Sequence, residues 1–148
     1  MNNRKRIIAV LDTMWDWRQR TSNAGYLREA PRYFQINPEN HSGKRLYRFA
    51  GDHELLVTNS CRELAQSARG HGTPNPEWLK ENLQILHDEK PIDLILVCGK
   101  VAQKTFDQLG FKEPNTVQVM KIMHPASRTW TKDLIEETIE KVQKICSR

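Results

Sequence analysis

The chain has 148 residues, of which 38% are hydrophobic and 28% charged, and its formal net charge at pH 7 is +5. A chain of this length can bury one core of its own but has little room for a second, so we expect a single domain over residues 1–148. The apolar runs are too short for a membrane span or a signal peptide. The cysteines are odd in number and widely spaced, which excludes a disulfide framework and favours a reducing, cytoplasmic location.

Four short runs rich in Ile, Val and Leu predict buried strands, and breakers such as Pro91 and Pro114 precede the last two. The strands are predicted at residues 6–11, 55–58, 92–98 and 117–123. Apolar residues at helical spacing predict helices from Pro76 to His87, from Val101 to a C-cap at Gly110, and from Thr131 to Ile145. This alternation predicts an α/β fold with four parallel strands joined by crossover helices.

The first third of the chain differs from the remainder in charge and in aromatic content. Its first 49 residues carry ten Lys or Arg against four Asp or Glu, together with seven of the eleven aromatic residues. Basic side chains neutralise phosphates and aromatic rings stack on bases, so this combination suits nucleic acid. It equally fits a solvated basic face above ordinary core aromatics. The segment of about forty residues between the first two strands has no sustained period, which is more typical of a binding surface than of a linker.

Each predicted strand is followed by a polar residue or a glycine turn. Asp12 follows the first strand, Asn59 the second, Gly99-Lys100 the third and His124 the fourth. Singly, each of these residues can serve as a turn or cap residue. The carboxyl ends of parallel strands lie on one edge of a sheet, beside helix N-termini. We therefore predict that Asp12, Asn59 and His124 converge on one site.

Three motifs occur in order over the last two thirds of the chain. The segment Leu55 to Ser60 (LLVTNS) ends a strand in Asn, Pro91 to Ala102 (PIDLILVCGKVA) runs into a G-x-x-A turn, and residues 124–127 read HPAS. In order and spacing they resemble the uracil-DNA glycosylase superfamily, whose last motif is H-P-S. The resemblance implies a three-layer α/β sandwich with a central four-stranded parallel sheet and a site at the strand ends.

The first third departs from the family pattern. Family members carry a Gly-rich loop after the first strand, with an Asp or Asn that positions the attacking water, whereas residues 8–17 read IAVLDTMWDW. Asp12 and Asp16 are the acids available there. Ile36-Asn37-Pro38 echoes one form of the motif, but no apolar strand precedes it, and we interpret it as coincidence. The cysteines do not match those that hold an iron-sulfur cluster in some branches, so no metal, cluster or other cofactor is expected.

The resemblance implies a role for each candidate residue. Asn59 would read the edge of a flipped base, and His124 would stabilise negative charge on the departing base. Asp12, or failing it Asp16, would orient the attacking water. The candidates for stacking on the base are Trp15, Trp17, Tyr26 and Phe34. The candidates for contacting the DNA backbone or wedging into the duplex are Ser60, Gly99, Lys100, Ser127 and Arg128.

These inferences predict a DNA base glycosylase that hydrolyses the N-glycosidic bond of a uracil-like, damaged or modified base, with DNA repair as its setting. The expected partner is single- or double-stranded DNA, and we expect a monomer without membrane contact. Two alternatives stay open. One is a catalytically silent nucleic-acid-binding protein on the same fold, and the other is an α/β enzyme that handles free nucleotides or nucleosides.

Overall fold

Four strands form one parallel sheet in the computed structural model, which describes residues 4–13, 30–63, 73–110 and 117–147. The strands are β1 (Arg6–Leu11), β2 (Glu54–Asn59), β3 (Leu94–Cys98) and β4 (Gln118–Ile122). The helices are α1 (His41–Ala50), α2 (Pro76–Glu89), α3 (Gly99–Asp107) and α4 (Lys132–Cys146). The predicted α/β fold with a central four-stranded parallel sheet is confirmed, and every strand end lies within two residues of its predicted position.

The strand order is β2-β1-β3-β4. β1 pairs along its whole length with β2, from Arg6 opposite Glu54 to Leu11 opposite Asn59. On its other side, residues 7–10 of β1 pair with β3. The chain thus leaves β1 on one side and returns on the other. Such a reversal opens a crevice at the carboxyl ends of the strands, where open α/β sheets bind their ligands.

Two helices cover each face of the sheet, giving three layers. On one face α1 and α4 pack against alternate strand residues, and Phe49 of α1 lies in the same apolar cluster as Ile7. On the other face lie α2 and α3, and Leu83 of α2 shares a cluster with Ile8. Both faces of β1 are therefore buried, which is why its sequence is a continuous apolar run. Within the described ranges no helix is both long and apolar enough to cross a bilayer.

Helix α1 lies in the segment where the sequence pattern predicts no regular structure. Its buried residues are Gly43, Leu46, Phe49 and Ala50. The apolar residues Leu46, Phe49 and Ala50 follow helical spacing but cover little more than one turn, which is short for a helix prediction from sequence. The Asn40 side chain caps the helix by accepting from the Gly43 amide at 2.6 Å. A Cβ atom at Gly43 would lie 1.9 Å from the Asn37 carbonyl oxygen, so the chain before α1 packs directly on the first turn of the helix.

A buried guanidinium joins the amino ends of β1 and β2 to the end of α2. Arg6 is 3% exposed. Its side chain donates to the carboxylates of Glu54 and Glu89, and Nη1 donates to the Leu86 carbonyl oxygen at 2.7 Å. The Arg6 amide donates to Oδ2 of Asp93, just before β3, at 2.8 Å. A buried cation is tolerated only when its N–H groups are paired in this way, so the contacts fix which segments meet at this edge.

Replacing this cation should destabilise the fold substantially. Arg6→Met removes the cation that pairs with the carboxylates of Glu54 and Glu89, and we expect the free energy of unfolding to fall by about 3 kcal/mol. Urea denaturation measures the change. Lys80→Met, an exposed lysine substitution on α2, is the control, with an expected change of about 0.5 kcal/mol or less. A loss below about 1 kcal/mol for Arg6→Met would show that the ion network is not needed for stability.

Candidate active site at the carboxyl edge of the sheet

A cavity of about 380 Å³ opens at the carboxyl ends of the strands, a size usual for small-molecule sites. Its lining consists of Leu11, Thr13, Phe34, Ile36, Asn40, His41, Ser42, Asn59 and His124. Apolar side chains thus alternate with amide, hydroxyl and imidazole groups, and none of these described lining residues is Asp, Glu, Lys or Arg. The amide, hydroxyl and imidazole groups of this part of the wall can recognise a ligand by directional hydrogen bonds.

Asn59 brings a buried polar group to the cavity. It is the last residue of β2, it is 1% exposed, and no described residue makes a hydrogen bond with its Nδ2 atom. An unpaired buried donor costs about 1 to 3 kcal/mol, so such groups are rare in folded proteins without a reason. A ligand with an acceptor atom would satisfy Nδ2, and the amide oxygen of the same side chain can accept a second bond. The edge of a nucleobase offers acceptors and donors in this arrangement.

His124 lies two residues after β4 and lines the same cavity. Its Nδ1 atom accepts a hydrogen bond from the Ala126 amide at 3.0 Å. In a neutral imidazole an accepting Nδ1 requires the proton to be on Nε2. Among the described residues none makes a hydrogen bond with Nε2, so this N–H is available to a ligand.

The charge state of His124 follows from its surroundings. Burial lowers the pKa of the imidazole below its ordinary value of 6.5, while the negative charge of Asp12 acts in the opposite direction and is the smaller effect. The ring is therefore neutral at pH 7. A neutral imidazole donates one hydrogen bond without bringing a full charge into the cavity, which suits stabilisation of an oxygen on which negative charge develops.

Asp12 does not line the cavity, contrary to the prediction that it shares one pocket with Asn59 and His124. Thr13 occupies that part of the wall instead. The Asp12 carboxylate accepts from the Thr13 hydroxyl at 3.0 Å, and the Cys61 thiol lies 3.6 Å from the same oxygen. These contacts hold the carboxylate beside the site, where its charge acts on His124.

Phe34 is the one candidate for base stacking that falls within the described ranges, and it lines the cavity. An antiparallel bridge to Val57 of β2 holds its main chain, with both N–O distances 2.9 Å. Phe34 is therefore fixed to the same strand that carries Asn59. Asp16, Trp15, Trp17 and Tyr26 lie outside the described residues.

The residues that are predicted to contact the DNA backbone differ in their exposure. Ser60 is fully buried and its hydroxyl donates to the Leu11 carbonyl at 2.8 Å, so it cannot reach a DNA backbone without opening this edge of the sheet. Lys100 and Arg128 are exposed beside the ends of β3 and β4. Ser127 is half-buried, with its hydroxyl 2.8 Å from that of Thr129.

Gly99 supports His124. It begins α3 with φ at +87°, a conformation that favours glycine, and a Cβ there would lie 3.2 Å from Cβ of His124. The turn that the sequence predicts after β3 therefore gives the histidine its packing surface, which is a different role from the predicted contact with DNA.

One wall of the cavity was missed by the sequence reasoning. It comprises Ile36, Asn40, His41 and Ser42, from the chain before α1 and its first turn. Ile36 belongs to the Ile36-Asn37-Pro38 segment, to which the sequence pattern assigns no role, and it is buried in the cavity wall. The segment Asn37 to Gly43 (NPENHSG) carried a signal, since Asn40 stands three residues before Gly43 as an N-cap would.

No protein-family model matches the sequence, and the search of curated proteins found no match. Within the described residues no group of three His, Cys, Asp or Glu side chains is placed to hold a metal ion. The function of the cavity is therefore inferred from its own chemistry.

The contact between Gly99 and His124 can be tested with a matched pair of glycine substitutions. Gly99→Ala and Gly110→Ala both place a side chain at positive φ, but only the first meets His124, since no atom of a described residue lies within 4 Å of a Cβ at Gly110. Each should lower the free energy of unfolding by about 1 to 2 kcal/mol. The NMR signals of the His124 ring should move in Gly99→Ala alone. Equal His124 signals in the two variants would contradict the packing described here.

The protonation of His124 gives a second test. An NMR titration of the imidazole should show a midpoint below 6.5, and Asp12→Asn should lower it further because the opposing negative charge is removed. The unfolded chain then takes up the proton first as the pH falls below 6.5, so this group favours the folded state above that pH and less so below it. Asp88→Asn, an exposed change on α2, should leave the midpoint unchanged. A midpoint above 6.5 would contradict the burial argument.

Proposed function

We propose that the protein is a DNA base glycosylase that hydrolyses the N-glycosidic bond of a uracil-like, damaged or modified base. The observation that carries the proposal is that Asn59 and His124 line one cavity, each with a donor, Nδ2–H and Nε2–H, that bonds to no described residue. The resemblance of residues 55–128 to the uracil-DNA glycosylase superfamily supports the same assignment, and the proposed setting is DNA repair inside the cell.

In the proposed reaction the target nucleotide leaves the base stack and its base enters the cavity. Phe34 stacks on the ring, and the Asn59 amide pairs with the base edge. The bond between C1′ of the sugar and the base nitrogen breaks, and its electron pair stays on the base. His124 donates its Nε2–H to the carbonyl oxygen where that charge accumulates, a contribution of about 100- to 1,000-fold in rate for one such donor.

The second half of the reaction needs a water molecule and an acid residue. Loss of the base leaves an oxocarbenium-like sugar, water adds hydroxide to C1′, and the remaining proton ends on the base. Among the described carboxylates we assign the orientation of this water to Asp12, because its negative charge acts on His124 and it therefore lies close to the site. Its carboxylate also accepts a hydrogen bond from the hydroxyl of Thr13, which lines the cavity. Asp16 is the alternative acid.

A second candidate is an enzyme that acts on free nucleotides. It is favoured by the first turn of α1 in the cavity wall, because backbone amides at a helix N-terminus bind phosphate well. The two candidates differ in substrate, since a DNA glycosylase acts on a base within a DNA strand and the other enzyme acts on a free nucleotide. A DNA glycosylase with several phosphate contacts loses affinity for oligonucleotides steeply as salt rises, whereas a nucleotide enzyme acts on the monomer.

An oligonucleotide panel tests the proposal. Single- and double-stranded oligonucleotides that contain uracil, hypoxanthine, xanthine or hydroxymethyluracil are incubated with the protein, and alkali then cleaves any abasic site. We expect strand breaks with at least one base, and a rate at least about 100-fold lower for His124→Ala and Asn59→Ala. His87→Ala removes an imidazole at the opposite end of the sheet, where Nδ1 accepts from the Ile92 amide, and serves as the control.

The remaining outcomes separate the alternatives. Oligonucleotide binding without base release across the panel would favour the silent binding protein, and release from free nucleotides alone would favour the second candidate. Full activity of Asp12→Asn, combined with loss in Asp16→Asn, would transfer the water-orienting role to Asp16.

A further inference from the structure

Two side chains outside the cavity hold the main chain on which His124 is carried. The indole Nε1 of Trp130 donates to the His124 carbonyl oxygen at 2.9 Å. Nη1 of Arg45, on α1, donates to the next carbonyl oxygen, that of Pro125, also at 2.9 Å. Two consecutive peptide groups of the loop after β4 are thus held by rigid planar donors from two different segments.

These donors are themselves fixed by packing. The Trp130 ring lies 5.3 Å from the ring of Phe49, which is fully buried beneath α1. The guanidinium carbon of Arg45 lies 5.8 Å from the Trp130 ring centroid, within the range for a cation–π contact. Arg45, Phe49 and Trp130 therefore form one packed unit between α1 and the segment before α4, which we call the indole clamp.

The clamp acts on the imidazole through the main chain. The Ala126 amide donates to Nδ1 of His124, and this bond selects the tautomer with the proton on Nε2. The clamp holds the peptide groups on either side of Pro125, and the second of these contains the Ala126 N–H. A change in either peptide moves the Ala126 N–H relative to the ring, so the tautomer and the direction of Nε2–H depend on the clamp.

We propose that Arg45 and Trp130 are positioning residues that fix the His124 imidazole as its Nε2–H tautomer facing the cavity. Neither lines the cavity, so neither is a catalytic residue. The consequence for catalysis depends on the proposed function, whereas the consequence for the tautomer does not. Helix α1 therefore covers the sheet, lines the cavity with its first turn and, through Arg45, orients the Nε2–H of His124.

Three variants separate positioning from general stability. Trp130→Phe keeps an aromatic ring against Phe49 and removes the N–H donor. Arg45→Met removes the guanidinium, and Arg45→Lys keeps the charge but loses the planar fork. Arg48→Met is the matched control, since Arg48 lies exposed on the same helix and its loss changes the net charge equally. Thermal unfolding of each protein verifies that it is folded.

The primary readout is the tautomer of His124 in the free protein, from nitrogen-15 NMR of the imidazole. Wild type and Arg48→Met should show the Nε2–H form. Trp130→Phe and Arg45→Met should show a mixture of both tautomers, with Arg45→Lys between them and wild type. If Arg45→Met does not fold, Trp130→Phe decides the question, because it removes one donor from a largely retained ring. An unchanged tautomer in folded Trp130→Phe and Arg45→Lys would overturn the proposal.

Base release supplies the second readout. With the substrate found in the oligonucleotide panel, kcat should fall about 10- to 100-fold in Trp130→Phe and Arg45→Met, while KM stays close to wild type. A change in KM alone would count against positioning and indicate a contact with DNA. If the wild type releases no base, the proposed function fails while the tautomer measurement still tests the clamp, so the two failures are distinguishable.

Discussion

The buried guanidinium of Arg6 is the interaction on which the arrangement of the sheet depends. The Arg6 side chain donates to Glu54 at the start of β2 and to Glu89 in the last turn of α2. The main-chain amide of Arg6 donates to Asp93 before β3. A shift of β2 by one residue would reverse its two faces and also remove Glu54 from this cation. The register of β2 on β1 is therefore fixed both by the burial of its apolar face and by the ion pair of Glu54 with Arg6. The same register places Asn59 opposite Leu11 at the other end of the strands, so a charge cluster at the amino edge determines where the amide of the cavity lies.

The carboxyl edge shows the opposite balance between satisfied and unsatisfied groups. The Arg6 side chain makes several hydrogen bonds, whereas Asn59 is as deeply buried and its amide nitrogen bonds to no residue that the structure describes. Neighbouring polar groups on β2 are paired, since the Thr58 hydroxyl donates to the Arg32 carbonyl and the Ser60 hydroxyl to the Leu11 carbonyl. The unpaired donor is thus local to the cavity. Such an exception is expected where a protein gives up stability to bind a ligand.

The strands could be predicted from their apolar runs, and two of the site residues could be predicted from the polar residues that follow those runs. Residues 7–11 of β1 and all of β3 are apolar because both faces are covered, whereas the edge strand β4 carries the exposed Gln118 and Lys121. The convergence of Asn59 and His124 followed from parallel strand direction. Helix α1 could not be predicted in the same way because its apolar positions cover little more than one turn. The wall that contains Ile36 depends on the antiparallel bridge of Phe34 to Val57, a long-range contact with no local pattern. The position of Asp12 depends on bonds to Thr13 and Cys61, which spacing alone does not reveal.

The contact between Gly43 and the Asn37 carbonyl has a consequence for how the specificity of the cavity can change. Two backbone segments touch there with no side chain between them, and any added Cβ would overlap the oxygen. The distance between the chain that carries Ile36 and the helix turn that carries His41 and Ser42 is therefore fixed by main-chain contact. Widening this wall requires a change in the length of the segment, whereas a change of side chain alters only its chemistry. Evolution or engineering toward a larger ligand would thus proceed by insertion before Asn40, and toward a different ligand of the same size by substitution at Ile36, His41 or Ser42.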